Sequence, residues 1–333
     1  MPDLHHHGDA EATEGLFDLA VNVYVGPRPA WLDAALRESI DDVGRYPDPT
    51  AAEAALARLH GRRAEEVLAT AGAADAFTLL ARARPWRCPV VVHPQFTEPH
   101  AALQQAGHRV TEVVLQRPFE LDPGLVPDDA DLVVLGNPTN PTGVLHPPDV
   151  VRALVRPGRV VVVDEAFMDC VPGEHASLVT DPHVVVVRSL TKHWGIPGVR
   201  AGYVVGPVGL VFGLRRRRVP WSVSTQAAAV MLACATDEAR AESERRAHEI
   251  ACWRTYLEKG LAALGIEHRP SAASFVLTRV GTGVHAALRA RGVAVRRADT
   301  FPGLDEAWVR IAVRPEPVTD RLVSHLSAVL PMR

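Results

Sequence analysis

From Ser189 to Arg200 the chain reads Ser189-Leu190-Thr191-Lys192-His193-Trp194-Gly195-Ile196-Pro197-Gly198-Val199-Arg200. A lysine lies here with two hydroxyls beside it and a guanidinium eight residues on. A deprotonated lysine forms imines with aldehydes, and burial near other cations favours the neutral amine. Ser189, Thr191 and Arg200 are anion-binding types, the arginine as a rigid fork of donors. An aldehyde cofactor that carries a phosphate, pyridoxal phosphate, satisfies both halves of the segment.

Two more segments point the same way. Gly136-Asn137-Pro138-Thr139-Asn140-Pro141-Thr142-Gly143 follows an apolar run, and Asn140, held among prolines, is placed to hydrogen-bond a ring substituent. Val163-Asp164-Glu165-Ala166-Phe167 ends another run, where Asp164 can keep a pyridine nitrogen protonated and make the ring an electron sink. Ligands of open α/β sheets lie beyond the carboxyl ends of the strands. Taken singly, the first segment also reads as a tight turn and the second as a helix N-cap.

The elements that must position these residues are legible as short β-branched runs. Candidate strands are Pro89–Val92, Arg109–Val114, Asp131–Leu135, Val160–Val163 and Val184–Val187. They are continuous rather than alternating, which suits strands buried on both faces of a mainly parallel sheet. Stretches such as Thr97–Ala106 and Pro148–Val155 supply crossover helices. The fold class is therefore α/β, a large doubly wound domain followed by a smaller α+β domain. Ser224–Leu264 reads as one long helix or two. After it come strands at Ser274–Leu277, Val293–Val295 and Trp308–Val313, and helices at Gly283–Ala290 and Val318–Leu330. The expected division is an N-terminal arm with part of the small domain over 1–40, a large cofactor domain over 41–225, and a connecting helix with the small domain over 226–333.

Together the three segments resemble the fold-type I pyridoxal-phosphate enzymes, the aminotransferase class I/II superfamily, over nearly the whole chain. The resemblance implies that Lys192 holds the cofactor as a Schiff base, that Asp164 faces the pyridine nitrogen and that Asn140 contacts the ring hydroxyl. It implies a phosphate site from Ser189, Thr191, Arg200 and the backbone N–H groups of Ala73 and Ala74, in Thr70-Ala71-Gly72-Ala73-Ala74-Asp75. Phe96 matches the aromatic that stacks on the ring. Tyr46 matches a tyrosine that reaches the neighbouring subunit's phosphate, so a homodimer with shared active sites is expected. Arg310 and Arg297 match arginines that grip an anionic substrate group. One departure stands out: most members carry tyrosine where Phe167 stands.

Within that superfamily the chain is similar to the histidinol-phosphate aminotransferase group, and inside it to the threonine-phosphate decarboxylases. Phe167, the Gly195-Ile196-Pro197-Gly198 run, Pro220-Trp221-Ser222-Val223 and Phe301-Pro302-Gly303-Leu304-Asp305 carry the second likeness. His7-Gly8 and Asn22 fall where those decarboxylases contact a substrate phosphate. The chain departs from them at Val23–Pro27 and at Ser274. The resemblance thus implies decarboxylation of L-threonine O-3-phosphate to aminopropanol phosphate in cobalamin biosynthesis. Its rival is histidinol-phosphate aminotransfer with 2-oxoglutarate. A third reading, a cofactor fold that has become a binding module, predicts lost cofactor contacts, whereas Lys192, Asp164, Asn140 and Arg200 are all present.

The resemblance implies a small phosphorylated amino-acid or amine substrate. The 333 residues are 47% hydrophobic and 23% charged, ordinary for a globular enzyme. A net charge of -3 argues against nucleic acid. The run Arg215-Arg216-Arg217-Arg218 reads as a solvated helix face. No apolar stretch is long enough for a bilayer, and the start lacks the pattern of a signal peptide. Cys88, Cys170, Cys234 and Cys252 show no metal-binding spacing, so no metal is expected, and they read as reduced and mostly buried in a cytoplasmic protein.

Overall fold

A computed structural model describes residues 3–330. Strand β1 (Phe17–Leu19) is followed by helices α1 (Ala30–Glu38) and α2 (Thr50–Leu59), then by β2 (Val67–Thr70), α3 (Ala73–Ala81), β3 (Pro89–His93), α4 (Glu98–Gln105), β4 (Thr111–Val114), β5 (Leu132–Gly136), α5 (Pro148–Arg152), β6 (Val160–Asp164), β7 (Val184–Ser189) and β8 (Gly202–Val205). The chain continues through α6 (Val208–Arg215), α7 (Thr225–Ala233), α8 (Asp237–Ala263), β9 (Glu267–His268), β10 (Phe275–Arg279), α9 (Val284–Ala290), β11 (Val293–Arg297), β12 (Trp308–Ala312) and α10 (Glu316–Val329).

The large sheet has the order β2-β8-β7-β6-β5-β3-β4, parallel except for β8, which runs antiparallel to both neighbours. Its β-branched runs feed two cores by pleat. Val90, Val133, Val161 and Val186 join the core on one face, and Val91, Val134, Val162 and Val187 the core on the other. That two-sided burial is why these strands lack polar alternation. Strands β5, β6 and β7 end together at Gly136, Asp164 and Ser189, so the three segments singled out in the sequence meet at one sheet edge.

The small sheet has the order β1-β11-β12-β10-β9, with β1 parallel to β11. It is covered by α8 and α10 through Leu257, Leu261, Leu322 and Leu326. The domain edges shift from 40 and 226. Leu32 of α1 and Val230 and Met231 of α7 are buried in the large-sheet core, while β1 belongs to the small sheet, so the N-terminal segment is shared between units. The basic run is a solvated face in half of its members, with Arg216 and Arg217 exposed. Arg215 and Arg218 both donate to the buried Glu53, at 2.6 and 3.0 Å.

Candidate active site

The phosphate-binding end is built from α3 and the lysine loop. The first N–H groups of a helix lack intrahelical acceptors and favour anions, which makes the amides of Ala73 and Ala74 the donors of α3. Its N-cap, Gly72, has φ 82° and ψ 173°, a conformation restricted to glycine. A Cβ there would lie 2.6 Å from Arg200 Nη2, so the missing side chain lets the guanidinium lie against the helix start. Arg200 has a left-handed backbone and donates from Nη1 to the Pro197 carbonyl at 3.0 Å. Ser189 and Thr191 share a hydrogen bond of 2.9 Å, and Lys192 Nζ donates to Ser189 Oγ at 3.3 Å. Helix amides, two hydroxyls and a guanidinium thus converge beside the amine, which suits a phosphorylated aldehyde.

At the other end Asp164 closes β6, its Oδ1 accepting from Ala166 N–H at 3.0 Å. Burial pushes its pKa up, opposed by the Lys192 charge. Burial pushes Lys192 down, against the pull of Asp164 and Asp169. A neutral amine is the form that attacks an aldehyde, and a buried carboxyl wanting a cationic partner fits a pyridine nitrogen. Phe167 is buried edge-on against Phe275 with ring centroids 4.9 Å apart, and Lys192 Nζ stands 5.3 Å from the Phe167 ring centre. Asn140 Oδ1 accepts from Arg310 Nη1 at 2.6 Å, leaving Nδ2 as the donor for a ring oxygen. Phe96 packs near Phe77 and His7, with centroids at 6.4 and 5.7 Å.

The substrate side is crowded with guanidinium groups. Arg310 on β12 donates to the Ala20 carbonyl at 2.7 Å. With its amide oxygen turned toward Arg310, Asn22 accepts from Nη1 at 2.9 Å. A Cβ on Gly8 would stand 3.2 Å from Arg310 Nη2, so the N-terminal arm lies directly over that arginine. His7 meets Glu98 Oε1 at 2.6 Å. Burial lowers the Arg310 pKa, and Arg296 and Arg314 add to that effect.

Arg297 requires a correction. It points outward and pairs with Asp299. Arg296 is the register partner of Arg310, and only 2% of it is exposed. It donates to Thr300 Oγ1 at 2.7 Å and the His6 carbonyl at 2.6 Å. Adjacent strand residues face opposite ways, so Arg296 rather than Arg297 shares a face with Arg310. Tyr46 is not brought to this chain's site. It is 77% exposed and stacks on Trp221, and exposed Ile40, Val43 and Val219 add apolar surface in the same two segments.

Arg246 of α8 is a positioning residue with no motif to announce it. It is fully buried and donates to the carbonyls of His193 and Pro27 at 2.8 and 2.9 Å, with its guanidinium over Tyr24 and Trp194. It thereby ties the lysine loop to the long interdomain helix.

Residues 14–326 match the family Aminotransferase class I and II. A histidinol-phosphate aminotransferase of Mycobacterium tuberculosis is 45% identical over 318 residues, 93% of this chain and 87% of the relative. The threonine-phosphate decarboxylase of Salmonella typhimurium is 29% identical, across 95% of this chain and 91% of its own length. The crystal structure of a histidinol-phosphate aminotransferase from Clostridium acetobutylicum shares the fold, with a TM-score of 0.85 at 22% identity over 92% of this chain and 97% of that one. With the cradle, the buried lysine and the Asp164 carboxyl in place, the chain belongs to the aminotransferase class I and II family and is a pyridoxal-phosphate enzyme.

Proposed function

We propose that the enzyme transfers the amino group of a small phosphorylated amine or amino acid, of the histidinol-phosphate type, to an oxo acid such as 2-oxoglutarate. The observation that carries this reading is the group of Arg310, Arg296 and Arg314, three buried guanidiniums of which Arg310 feels both others, with Asp18 as the counter-charge to Arg310 and Arg314 and Glu11 to Arg296. Such a pole favours a dianionic group or a carboxylate. The mycobacterial relative's name supports aminotransfer over decarboxylation.

Pyridoxal phosphate, when bound, supplies the electron sink. Ala73 and Ala74 amides, Ser189, Thr191 and Arg200 would hold its phosphate, Asp164 its ring nitrogen, Asn140 its ring oxygen and Phe96 its face. Arg310, Asn22 and Arg296 orient the substrate's anion, with His7 closing over them from the arm. Lys192 Nζ, the neutral amine nearest the anion grip, would take up the proton from the substrate's Cα. Orientation of the Cα bonds decides the outcome, so the anion grip is also the specificity device. Tyr46, with the apolar surface around it, would reach a second copy's site in a homodimer.

Phe167 favours a second reading. A side chain that cannot donate to the cofactor's ring oxygen is what the threonine-phosphate decarboxylase likeness implies, with L-threonine O-3-phosphate as substrate and carbon dioxide as product. One assay separates the two. The cofactor-loaded enzyme receives histidinol phosphate with 2-oxoglutarate, and separately L-threonine O-3-phosphate, with glutamate and carbon dioxide measured. Glutamate formation with the first and no carbon dioxide from the second is the expected result. Stoichiometric carbon dioxide from the second, without glutamate from the first, overturns aminotransfer.

A further inference from the structure

Behind the lysine loop three side chains of different chemistry converge. Asp169 and Cys170 occupy the turn Met168–Cys170 after β6, and His193 directly follows Lys192. One donor atom from each lies within 4.8 Å of the other two. Asp169 Oδ1 is 3.8 Å from the Cys170 sulfur and 3.8 Å from His193 Nδ1. His193 is 1% exposed. Its Nε2 meets Ser243 Oγ at 3.0 Å, while Nδ1 has no hydrogen-bond partner among the described residues. With the proton on Nε2 toward Ser243, the Nδ1 lone pair faces the carboxylate and the thiol. Orientation of an imidazole by an outer hydroxyl is how metal-bound histidines are held. The hydrogen-bond partner of the Asp169 carboxylate is the weak thiol donor.

We propose that Asp169, Cys170 and His193 bind one zinc-class divalent cation, with water as the fourth ligand. Sulfur, imidazole and carboxylate together suit zinc rather than magnesium or calcium. Zinc bonds of about 2.0–2.3 Å place tetrahedral donors roughly 3.3–3.7 Å apart. Two of the three edges therefore need to contract by only a few tenths of an ångström. Of the three ligands Asp169 lines a cavity of about 450 Å³, together with Arg188, Ser189, Trp194 and Ser243, and this is the side from which an ion would enter. As the sulfur–zinc bond forms, the Cys170 proton leaves to solvent. The bound ion fastens the turn after Phe167 to the residue after Lys192. The spacing of Cys170 and His193 in sequence fits no metal motif, which is why composition and motif reading expected none.

The test is equilibrium dialysis of the cofactor-loaded enzyme against zinc chloride, followed by metal analysis and zinc X-ray absorption. One zinc per chain, with one sulfur neighbour at about 2.3 Å, is the expected result. Cys170→Ser and His193→Gln abolish it, and Ser243→Ala weakens it roughly 10- to 100-fold. A double variant, His5→Ala with His6→Ala, and Cys252→Ser keep it, which separates the site from adventitious binding at the histidine-rich arm and the exposed thiol. Absence of stoichiometric zinc, zinc without a sulfur neighbour, or zinc lost in the His5/His6 variant overturns the proposal. The absorption spectrum of the unaltered enzyme decides the matter even where the buried variants fold poorly.

Discussion

Gly72→Ala tests the phosphate cradle through backbone geometry. At φ 82° and ψ 173° an alanine pays a strain on the order of 1–3 kcal/mol. Its Cβ would also stand 2.6 Å from Arg200 Nη2, so the guanidinium has to swing away from the start of α3. Loss of a charge-assisted hydrogen bond is worth about 1.5–3 kcal/mol. The strain lowers stability with or without cofactor, whereas the displaced arginine acts on cofactor affinity alone. At about 1.4 kcal/mol per factor of ten, the Kd for pyridoxal phosphate should rise roughly 10- to 150-fold. Titration of the apoprotein by absorbance reads this directly. Gly209→Ala, with open space around its Cβ position, should leave the Kd within about twofold. A lowered unfolding midpoint in Gly72→Ala with an unchanged Kd would refute the placement of Arg200 against the phosphate.

The remaining predictions address the anion grip, a buried ion cluster and the arm. Arg296→Leu should raise KM for the phosphorylated substrate about 10- to 100-fold, and Arg297→Leu should leave it within about twofold; equal effects would overturn the pleat assignment. Glu53→Gln leaves Arg215 and Arg218 without their shared carboxylate. Because Arg215 is partly exposed, urea unfolding should show a loss of about 2 kcal/mol rather than the 3–5 kcal/mol of a sealed pair, and an unchanged midpoint would show that the cluster contributes nothing. For Glu11, burial raises the pKa, but hydrogen bonds from His285 and His6 outweigh it and hold the carboxyl at about 2 instead of 4.5. The unfolded chain takes up that proton first on acidification, so the contribution is present above pH 4.5 and is lost as pH falls toward 2. Urea midpoints of wild type and Glu11→Gln should therefore converge as pH is lowered through this window; curves that stay parallel would show that the Glu11 carboxylate contributes nothing to stability.

Five of the seven large-sheet strands were legible, four of them because a strand buried on both faces has no room for polar residues, and a run such as Val184–Val187 leaves little else to be; the half-exposed edge strand β4 showed through its valines alone. Strands β2 and β8 were not. Each has four residues, and β8 is the antiparallel insertion, whose place in the order no local pattern specifies. The cofactor side of the site was legible for a related reason. Lys192, Asp164 and Asn140 lie at or just beyond strand ends that a parallel sheet brings to one edge. The Arg296-Arg297 doublet shows the opposite case. Both residues are arginine, a one-residue phase error inverts which one enters the site, and only pairing with β12 fixes that phase.

The position of Lys192 itself depends on residues that its motif does not contain. Its carbonyl accepts from Tyr24 N–H at 2.9 Å, and the next carbonyl accepts from Arg246 at 2.8 Å. Tyr24 and Arg246 in turn stack on one another. Tyr24 comes from the segment between the small-sheet strand β1 and α1, and Arg246 from α8, which carries the chain into the small domain. A rotation of the small domain would load these two hydrogen bonds. The loop that holds the reactive amine is therefore fastened to Tyr24 and Arg246, two residues on segments that lead into the small domain.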